Sequence, residues 1–290
     1  MKKKIKIGLV QTKSGNDVAA NLSKAIVKIK EAAGKGAKII CLQELFNTIY
    51  FPQEDKINAA RFAEPIPGKI TSTLSALAKK LKIVIIAPIY EKGANGKFYN
   101  SAAVIDADGK IIGTYRKIHI PHDPLFYEKT YFEPGNKGYG VFKTKYATVG
   151  VLICYDQWFT EAARITALQG AEIIFYPTAI GFIRGHNSAD GDWHDAWETI
   201  QRGHSIANGV HVAAVNRVGT EGSLKFWGQS FISDSFGTVL KRGSATKEET
   251  IVVEVDLAKN KQIRDGWGFL KNRRPAMYKS IVKKITKKIK

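Results

Sequence analysis

Three reactive side chains stand where apolar, strand-like runs give out. Lys38-Ile39-Ile40-Cys41-Leu42-Gln43 leads to the carboxylate of Glu44. Ile111-Ile112-Gly113-Thr114-Tyr115-Arg116 leads to the ammonium of Lys117, and Thr148-Val149-Gly150-Val151-Leu152-Ile153 to the thiol of Cys154. Loops at strand ends are where open α/β sheets place their ligands. A thiol attacks as thiolate, so it needs a base or a positive neighbour. A carboxylate within hydrogen-bond reach can take its proton, and an ammonium can hold the oxyanion that forms on an attacked carbonyl. One Glu, one Lys and one Cys therefore suffice for acyl or carbamoyl transfer to water. Spacing alone does not bring the three together, and each has a plainer reading: packing for the Cys, a solvated strand edge for the Glu and Lys. Cys41 lies inside its run with no polar neighbour before Gln43, and reads as packing.

The elements that must position these groups alternate along the chain. Strand-like runs are expected at Ile5–Gln11, Ile39–Leu42, Ile83–Tyr90, Ser101–Asp106, Ile111–Tyr115, Thr148–Ile153, Ile173–Tyr176, His211–Val215, Ser230–Asp234 and Ile251–Asp256. Several are rich in Ile and Val and apolar on both faces, as buried strands are. Helical stretches are expected at Asn21–Gly34, Ser72–Lys82, Thr160–Gly170 and Ala196–Asn208; in the first, Leu22, Ile26 and Ile29 recur at helical spacing. Asp108-Gly109 and Phe236-Gly237 read as hairpin turns between strands, and Gly219 to Gly222 as another. The alternation points to one layered α/β domain over residues 1–290, with helices covering mixed sheets.

Composition removes other classes. The 290 residues are 44% hydrophobic and 24% charged, the balance of an ordinary globular chain, and no window is apolar enough for a membrane span. The two cysteines exclude a disulfide framework, which makes the cytosol the expected compartment. The formal charge of +19 raises the question of nucleic acid. Much of the excess sits after Asp265, beyond which there is no acidic residue, in a basic tail at about 279–290. Ile281, Ile285 and Ile289 there have the spacing of a short amphipathic helix. No interleaved aromatic and basic recognition motif accompanies the charge, so neither nucleic acid nor membrane is an expected partner. A P-loop and a Gly-x-Gly-x-x-Gly are absent, and His119-x-x-His122 lacks a third ligand at zinc spacing. No metal or cofactor is expected.

The three segments closely resemble those of the nitrilase superfamily of carbon–nitrogen hydrolases, and the resemblance covers essentially the whole chain. Gln43-Glu44-Leu45-Phe46 is similar to the family's base segment, Tyr115-Arg116-Lys117-Ile118-His119-Ile120-Pro121 to its lysine segment, and Cys154-Tyr155-Asp156-Gln157-Trp158-Phe159 to its nucleophile elbow. The resemblance implies a four-layer α-β-β-α sandwich that assembles as a homo-oligomer, dimer or higher. It implies a cysteine-dependent amidohydrolase with Glu44 as base, Lys117 on the oxyanion and Cys154 as nucleophile. Phe126-Tyr127-Glu128-Lys129 resembles the segment with a supporting glutamate, which marks Glu128.

Within the superfamily the strings from Cys154 to Phe159, from Phe175 to Gly181 and from Gln201 to His204 most resemble the branch that hydrolyses N-carbamoylputrescine in polyamine biosynthesis. That branch often carries Ser-Glu where this chain has Phe182-Ile183. The expected substrate is thus a neutral carbamoyl or amide head on a linear chain ending in a cationic amine. A related amidase or carbamoyl amino-acid hydrolase is the alternative, and a non-catalytic polyanion binder the alternative of another class. Hydrolases that pair a substrate carboxylate typically carry arginine soon after the Cys, and none precedes Arg164 here. Asp190, Asp192, Asp195 and Glu198 lie among Trp193 and Trp197, a composition suited to an alkylammonium. The same acids equally suit the start of a helix. The substrate-binding candidates are Tyr50, Trp158, Thr178, Ala179, Asp192 and Asp195.

Overall fold

Side-chain alternation along the apolar runs decides what each face of the sheets covers. The computed structural model describes residues 4–185, 189 and 191–283. Its first half runs β1 (Lys4–Gln11), α1 (Val18–Gly34), β2 (Ile39–Leu42), α2 (Lys69–Leu81), β3 (Val84–Lys92), β4 (Phe98–Ile105) and β5 (Ile111–Arg116). The second half begins with β6 (Gly140–Lys143), β7 (Thr148–Val151), α3 (Thr160–Leu168), β8 (Ile173–Pro177), β9 (Gly181–Ile183) and α4 (Trp193–Asn208). It ends with β10 (His211–Val215), β11 (Val218–Glu221), β12 (Leu224–Trp227), β13 (Phe231–Ser233), β14 (Val239–Arg242), β15 (Glu249–Asp256) and α5 (Ala258–Trp267).

One sheet has the order β15-β1-β2-β3-β4-β5 and the other β14-β13-β10-β8-β7-β6, with a small third sheet β11-β12-β9. Each large sheet has three parallel strands at its centre, β1-β2-β3 and β7-β8-β10, and antiparallel strands outside them. Ile7, Leu9, Ile39 and Cys41 pack with Val149, Val151 and Ile173 between the sheets, whereas Val10, Ile40 and Leu42 pack with Ile29 and Leu74 of α1 and α2. This is the period of two that a pleated strand imposes. Helices α3 and α4 cover the outer face of the second sheet. The result is the four-layer α-β-β-α sandwich that the resemblance implied. It turns the C-terminal ends of β2, β5, β7, β8 and β10 toward one region. No helix among the described residues is long and apolar enough to cross a membrane.

The differences from the sequence reading have local causes. Helices α1 and α4 start three residues earlier than expected because Asp17 and Asp192 cap them, each accepting two backbone N–H bonds. β6, β9, β11, β12 and β14 have only three or four residues each, too few to give an apolar run. In α5 only Asn260 is buried, so it has no apolar stripe to read. Gly219–Gly222 is not itself a turn: Gly219 to Glu221 belong to β11, and the register Glu221↔Leu224 puts the turn at Gly222-Ser223. Ile281 lies one residue before the end of a 3-10 stretch, Pro275–Val282, with an exposed side chain. The rest of the expected tail helix, 284–290, lies outside the described residues.

Candidate active site

The three strand ends meet. Glu44 follows β2 by two residues, Lys117 follows β5 directly, and Cys154 follows β7 by three. Lys117 Nζ lies 2.9 Å from Glu44 Oε1 and 2.6 and 2.9 Å from the two oxygens of Glu128. All three side chains are wholly buried, where an unpaired charge would cost several kcal/mol. Tyr50 donates from its hydroxyl to Glu128 at 2.7 Å, and Asn100 donates from Nδ2 to Glu44 Oε1 at 2.7 Å. Glu44 Oε2 accepts no hydrogen bond from the described residues. The charges of Glu44, Lys117 and Glu128 all bear on the Cys154 thiol.

Backbone strain aims two of these groups. Cys154 has φ +44° and Leu45, beside Glu44, has φ +48°, a region that side chains with a Cβ rarely enter and that surrounding contacts must hold. At the thiol the holder is Asp156. Its Oδ2 accepts Ile153 N at 2.9 Å and the Tyr115 hydroxyl at 2.7 Å, while its Oδ1 accepts His119 N at 3.1 Å. The His119 ring packs flat on Phe159 and touches the same carboxylate through Nδ1 at 2.7 Å. At Glu44 the holder is Arg217, just past β10. Its Nη2 donates to the carbonyls of Glu44 (3.0 Å) and Leu45 (2.9 Å), and its Nη1 to that of Thr48 (3.0 Å) and to Glu221 Oε1 (2.7 Å). Glu221 Oε2 in turn accepts Tyr50 N at 2.6 Å. Lys117 is fixed through its backbone, donating N–H to Asn100 O and accepting Gly135 N, both at 2.8 Å. A Cβ on Gly135 would come within 2.1 Å of the Arg116 carbonyl oxygen, so only glycine permits that approach.

The electrostatics follow from burial. Burial pushes the Cys154 thiol well above its usual range and the Glu44 carboxylate adds to this, against the pull of Lys117. Burial alone would lower Lys117, but Glu128 and Glu44 outweigh it and hold the ammonium charged. Burial raises the Glu128 carboxyl to about 7, with Lys117 opposing. The resting site is therefore a protonated thiol beside a charged Lys–carboxylate cluster, and its free acceptor is Glu44 Oε2.

The thiol opens into a cavity of about 640 Å³, an ordinary size for a small-molecule site. Phe126, Trp158, Ile180, Ile183 and Trp193 supply much of its wall, and Glu128 is part of it. Of the substrate-binding candidates, Trp158 lines the cavity. Tyr50 lies behind it, on Glu128. Ala179 contributes its carbonyl oxygen, 4.0 Å from Cys154 Sγ. Thr178 is buried, donating to the Tyr176 carbonyl, and is not among the described wall residues. Asp192 and Asp195 are a correction. Both are exposed and absent from the described wall, and Asp192 Oδ1 caps α4, accepting the backbone N–H of His194 and of Asp195. Trp197 is buried behind the wall, donating to Gln157 Oε1 at 2.9 Å. Asp190 lies outside the described residues.

Asn100, Arg217 and Asp156 went unrecognised in the sequence. Arg217 had a signal: Asn216-Arg217 ends the run His211–Val215 just as Glu44 and Cys154 end theirs.

The profile of the family described as carbon-nitrogen hydrolase matches residues 6–265. The chain is similar to the N-carbamoylputrescine amidase of Oryza sativa subsp. japonica, 43% identical over 288 residues that cover 96% of this chain and 95% of that one. It is also similar to the citrullinase of Francisella tularensis subsp. tularensis, 42% identical over 285 residues covering 97% and 99%. Among solved structures, the carbon–nitrogen hydrolase from Helicobacter pylori G27 matches with a TM-score of 0.92 and 39% identity, over 97% of this chain and 99% of that one.

Proposed function

The chain belongs to the carbon–nitrogen hydrolase family, and on that premise we propose that it hydrolyses N-carbamoylputrescine to putrescine, carbon dioxide and ammonia. In this reading Glu44 Oε2 takes the proton of Cys154, and the thiolate attacks the carbamoyl carbon. The carbonyl electron pair moves to oxygen, where the Lys117 ammonium stabilises it. Collapse of the tetrahedral adduct expels one nitrogen, which leaves with the proton that Glu44 received, and the remaining carbonyl stays on sulfur. Water, deprotonated by Glu44, then attacks that carbonyl, the C–S bond breaks with return of the proton to sulfur, and the carbamate released falls apart into carbon dioxide and the second nitrogen as free amine or ammonia. Glu128 holds Lys117 charged and aimed throughout, with Tyr50 fixing Glu128. The buried contacts among Glu44, Asn100, Lys117 and Glu128 support these roles, because they hold Glu44 Oε1 and leave Oε2 without a donor among the described residues, in a carboxylate whose charge bears on the thiol.

The observation that carries the substrate reading is the wall of the cavity. Among the described residues no Lys or Arg lines it, in a chain of net charge +19, and most of its surface is apolar. Such a wall suits a neutral carbamoyl head and a linear hydrocarbon chain, and leaves a substrate carboxylate without a partner. A second reading, citrulline, is favoured by the 42% identity to the citrullinase. It differs at the far end, where citrulline carries a carboxylate beside its ammonium. The test is kcat/KM for N-carbamoylputrescine, citrulline and N-carbamoyl-β-alanine, followed by ammonia release. The first is expected to be highest; a higher value for either carboxylate-bearing compound overturns the assignment.

The reading includes assembly as a homo-oligomer. Ile165 and Leu168 of α3 and Ile206 of α4 are exposed, as are Phe236, Trp267 and Phe269, with the Trp267 ring centroid 5.3 Å from that of Phe236 and 5.7 Å from that of Phe269. A contiguous exposed apolar patch, such as the one the Phe236, Trp267 and Phe269 rings begin, is a mark of an interaction surface.

A further inference from the structure

The loop that follows Lys117 reaches the cavity twice. Glu128 is in its floor and Asp123, five residues earlier, is in its wall. The two differ in what already holds them. Glu128 is buried and bound to Lys117 and Tyr50, whereas the Asp123 carboxylate is exposed and makes no hydrogen bond or ion pair with any described residue. Its backbone is fixed nonetheless. Asp123 and Phe126 form an isolated bridge in which Phe126 N donates to Asp123 O at 2.8 Å. Leu125 completes that turn at φ +67°, and the Phe126 ring rests 5.8 Å from that of Tyr50. The turn therefore holds Asp123 in a set relation to the floor.

We propose that Asp123 receives the distal ammonium of the substrate and so sets the preference for cation-ended carbamoyl amines. This rests on the substrate reading above and deepens it. Tyr155, the residue after the nucleophile, feels both ends of such a substrate site: burial raises its hydroxyl, the Asp123 charge adds to that, and Lys117 opposes it. Apolar and aromatic groups, among them Leu125, Phe126 and Trp158, form the wall in which a hydrocarbon chain would lie. An ammonium at the mouth pairs with the carboxylate and meets ring faces, the two interactions that recognise alkylammonium groups. Of the wall carboxylates among the described residues, Asp123 is the one free to do so. It also supplies the anion that Phe182-Ile183 does not, since β9 offers no carboxylate there.

The experiment compares N-carbamoylputrescine with pentylurea, which replaces the ammonium by a methyl group of similar size. Wild-type protein, Asp123→Asn and Asp123→Lys are assayed, with Asp192→Asn as a comparator. Wild type is expected to favour the cationic compound. Asp123→Asn is expected to lower its kcat/KM by about 10-fold or more, as loss of a charged hydrogen bond does, mainly through KM, so that the ratio between the two compounds shrinks. Asp123→Lys is expected to reverse the charge preference, raising kcat/KM for N-carbamoyl-4-aminobutyrate relative to N-carbamoylputrescine. If wild type discriminates but both Asp123 variants keep the wild-type ratios, or if Asp192→Asn alone collapses them, Asp123 is not the anchor and the substrate reading stands. If wild type shows no preference for the cationic compound, the substrate reading itself fails and this assignment with it.

Discussion

Asn100 Nδ2 and Lys117 Nζ both donate to Glu44 Oε1, at 2.7 and 2.9 Å, while the buried Glu44 Oε2 has no donor among the described residues. The geometry divides the carboxylate. One oxygen is held, and the other is the one that takes the proton of Cys154 in the proposed mechanism. Replacing Asn100 by Leu removes one holder without adding charge. We expect kcat to fall by about 10²-fold, the cost of misplacing a catalytic group by an ångström, with little change in KM. Steady-state kinetics check this; an unchanged kcat would mean that Lys117 alone orients Glu44.

Arg217 makes a second prediction. Its guanidinium is wholly buried and spans three carbonyls and Glu221. Arg217→Ala leaves Glu221 without its cation, and removing one member of a buried pair costs about 3–5 kcal/mol. The midpoint of denaturant unfolding should fall accordingly. Arg217→Lys keeps the charge but not the planar fork. It should recover much of the stability while kcat stays depressed, because the carbonyls of Glu44 and Leu45 lose their donors. Full recovery of kcat by lysine would show that charge alone is required.

Much of this site was legible because its chemistry stands at strand ends. An apolar run that stops at Glu44, Lys117 or Cys154 can be seen in one dimension. Glu128 was legible only through resemblance, since nothing in Phe126-Tyr127-Glu128 distinguishes it from a surface acid. Asn100 and Arg217 act through contacts 56 and 173 residues away in sequence, and no local pattern encodes such a pairing. The acids Asp192 and Asp195 drew attention by composition, yet the orphan N–H groups at the start of α4 claim Asp192 first. The sheets showed the same division: buried strands carried the period of two, whereas short strands such as β14, Val239–Arg242, carried none.

The pH dependence has a defined sign. Burial raises Glu128 from 4.5 to about 7, so the folded protein holds this proton more tightly than the unfolded chain. The stabilisation it gives is complete below about pH 4.5 and is lost as pH rises through about 7. In Glu128→Gln that slope of stability with pH should vanish. For catalysis the ionised form is the one that pairs with Lys117, so kcat/KM should show an acid limb near pH 7, set by the Glu128 carboxyl. An acid limb at an ordinary carboxylate pKa would contradict this.

Assembly is tested by sedimentation. We expect a species of at least twice 32.1 kDa at micromolar concentration. A charged residue in the exposed apolar group, as in Ile206→Glu, should shift it toward the monomer. A wild-type monomer would remove the oligomer from the account.

The central claim is that Cys154, with Glu44 and Lys117, forms the covalent centre, and ammonia release from N-carbamoylputrescine tests it most directly. Purified wild type, Cys154→Ala and Cys41→Ala are assayed side by side, with folding verified by circular dichroism. Cys41 is buried in β2 between the sheets, so its loss should cost some stability and leave turnover in place. The account predicts steady turnover by wild type and by Cys41→Ala, and ammonia at background for a folded Cys154→Ala. A folded Cys154→Ala that releases ammonia at a rate near wild type would contradict it.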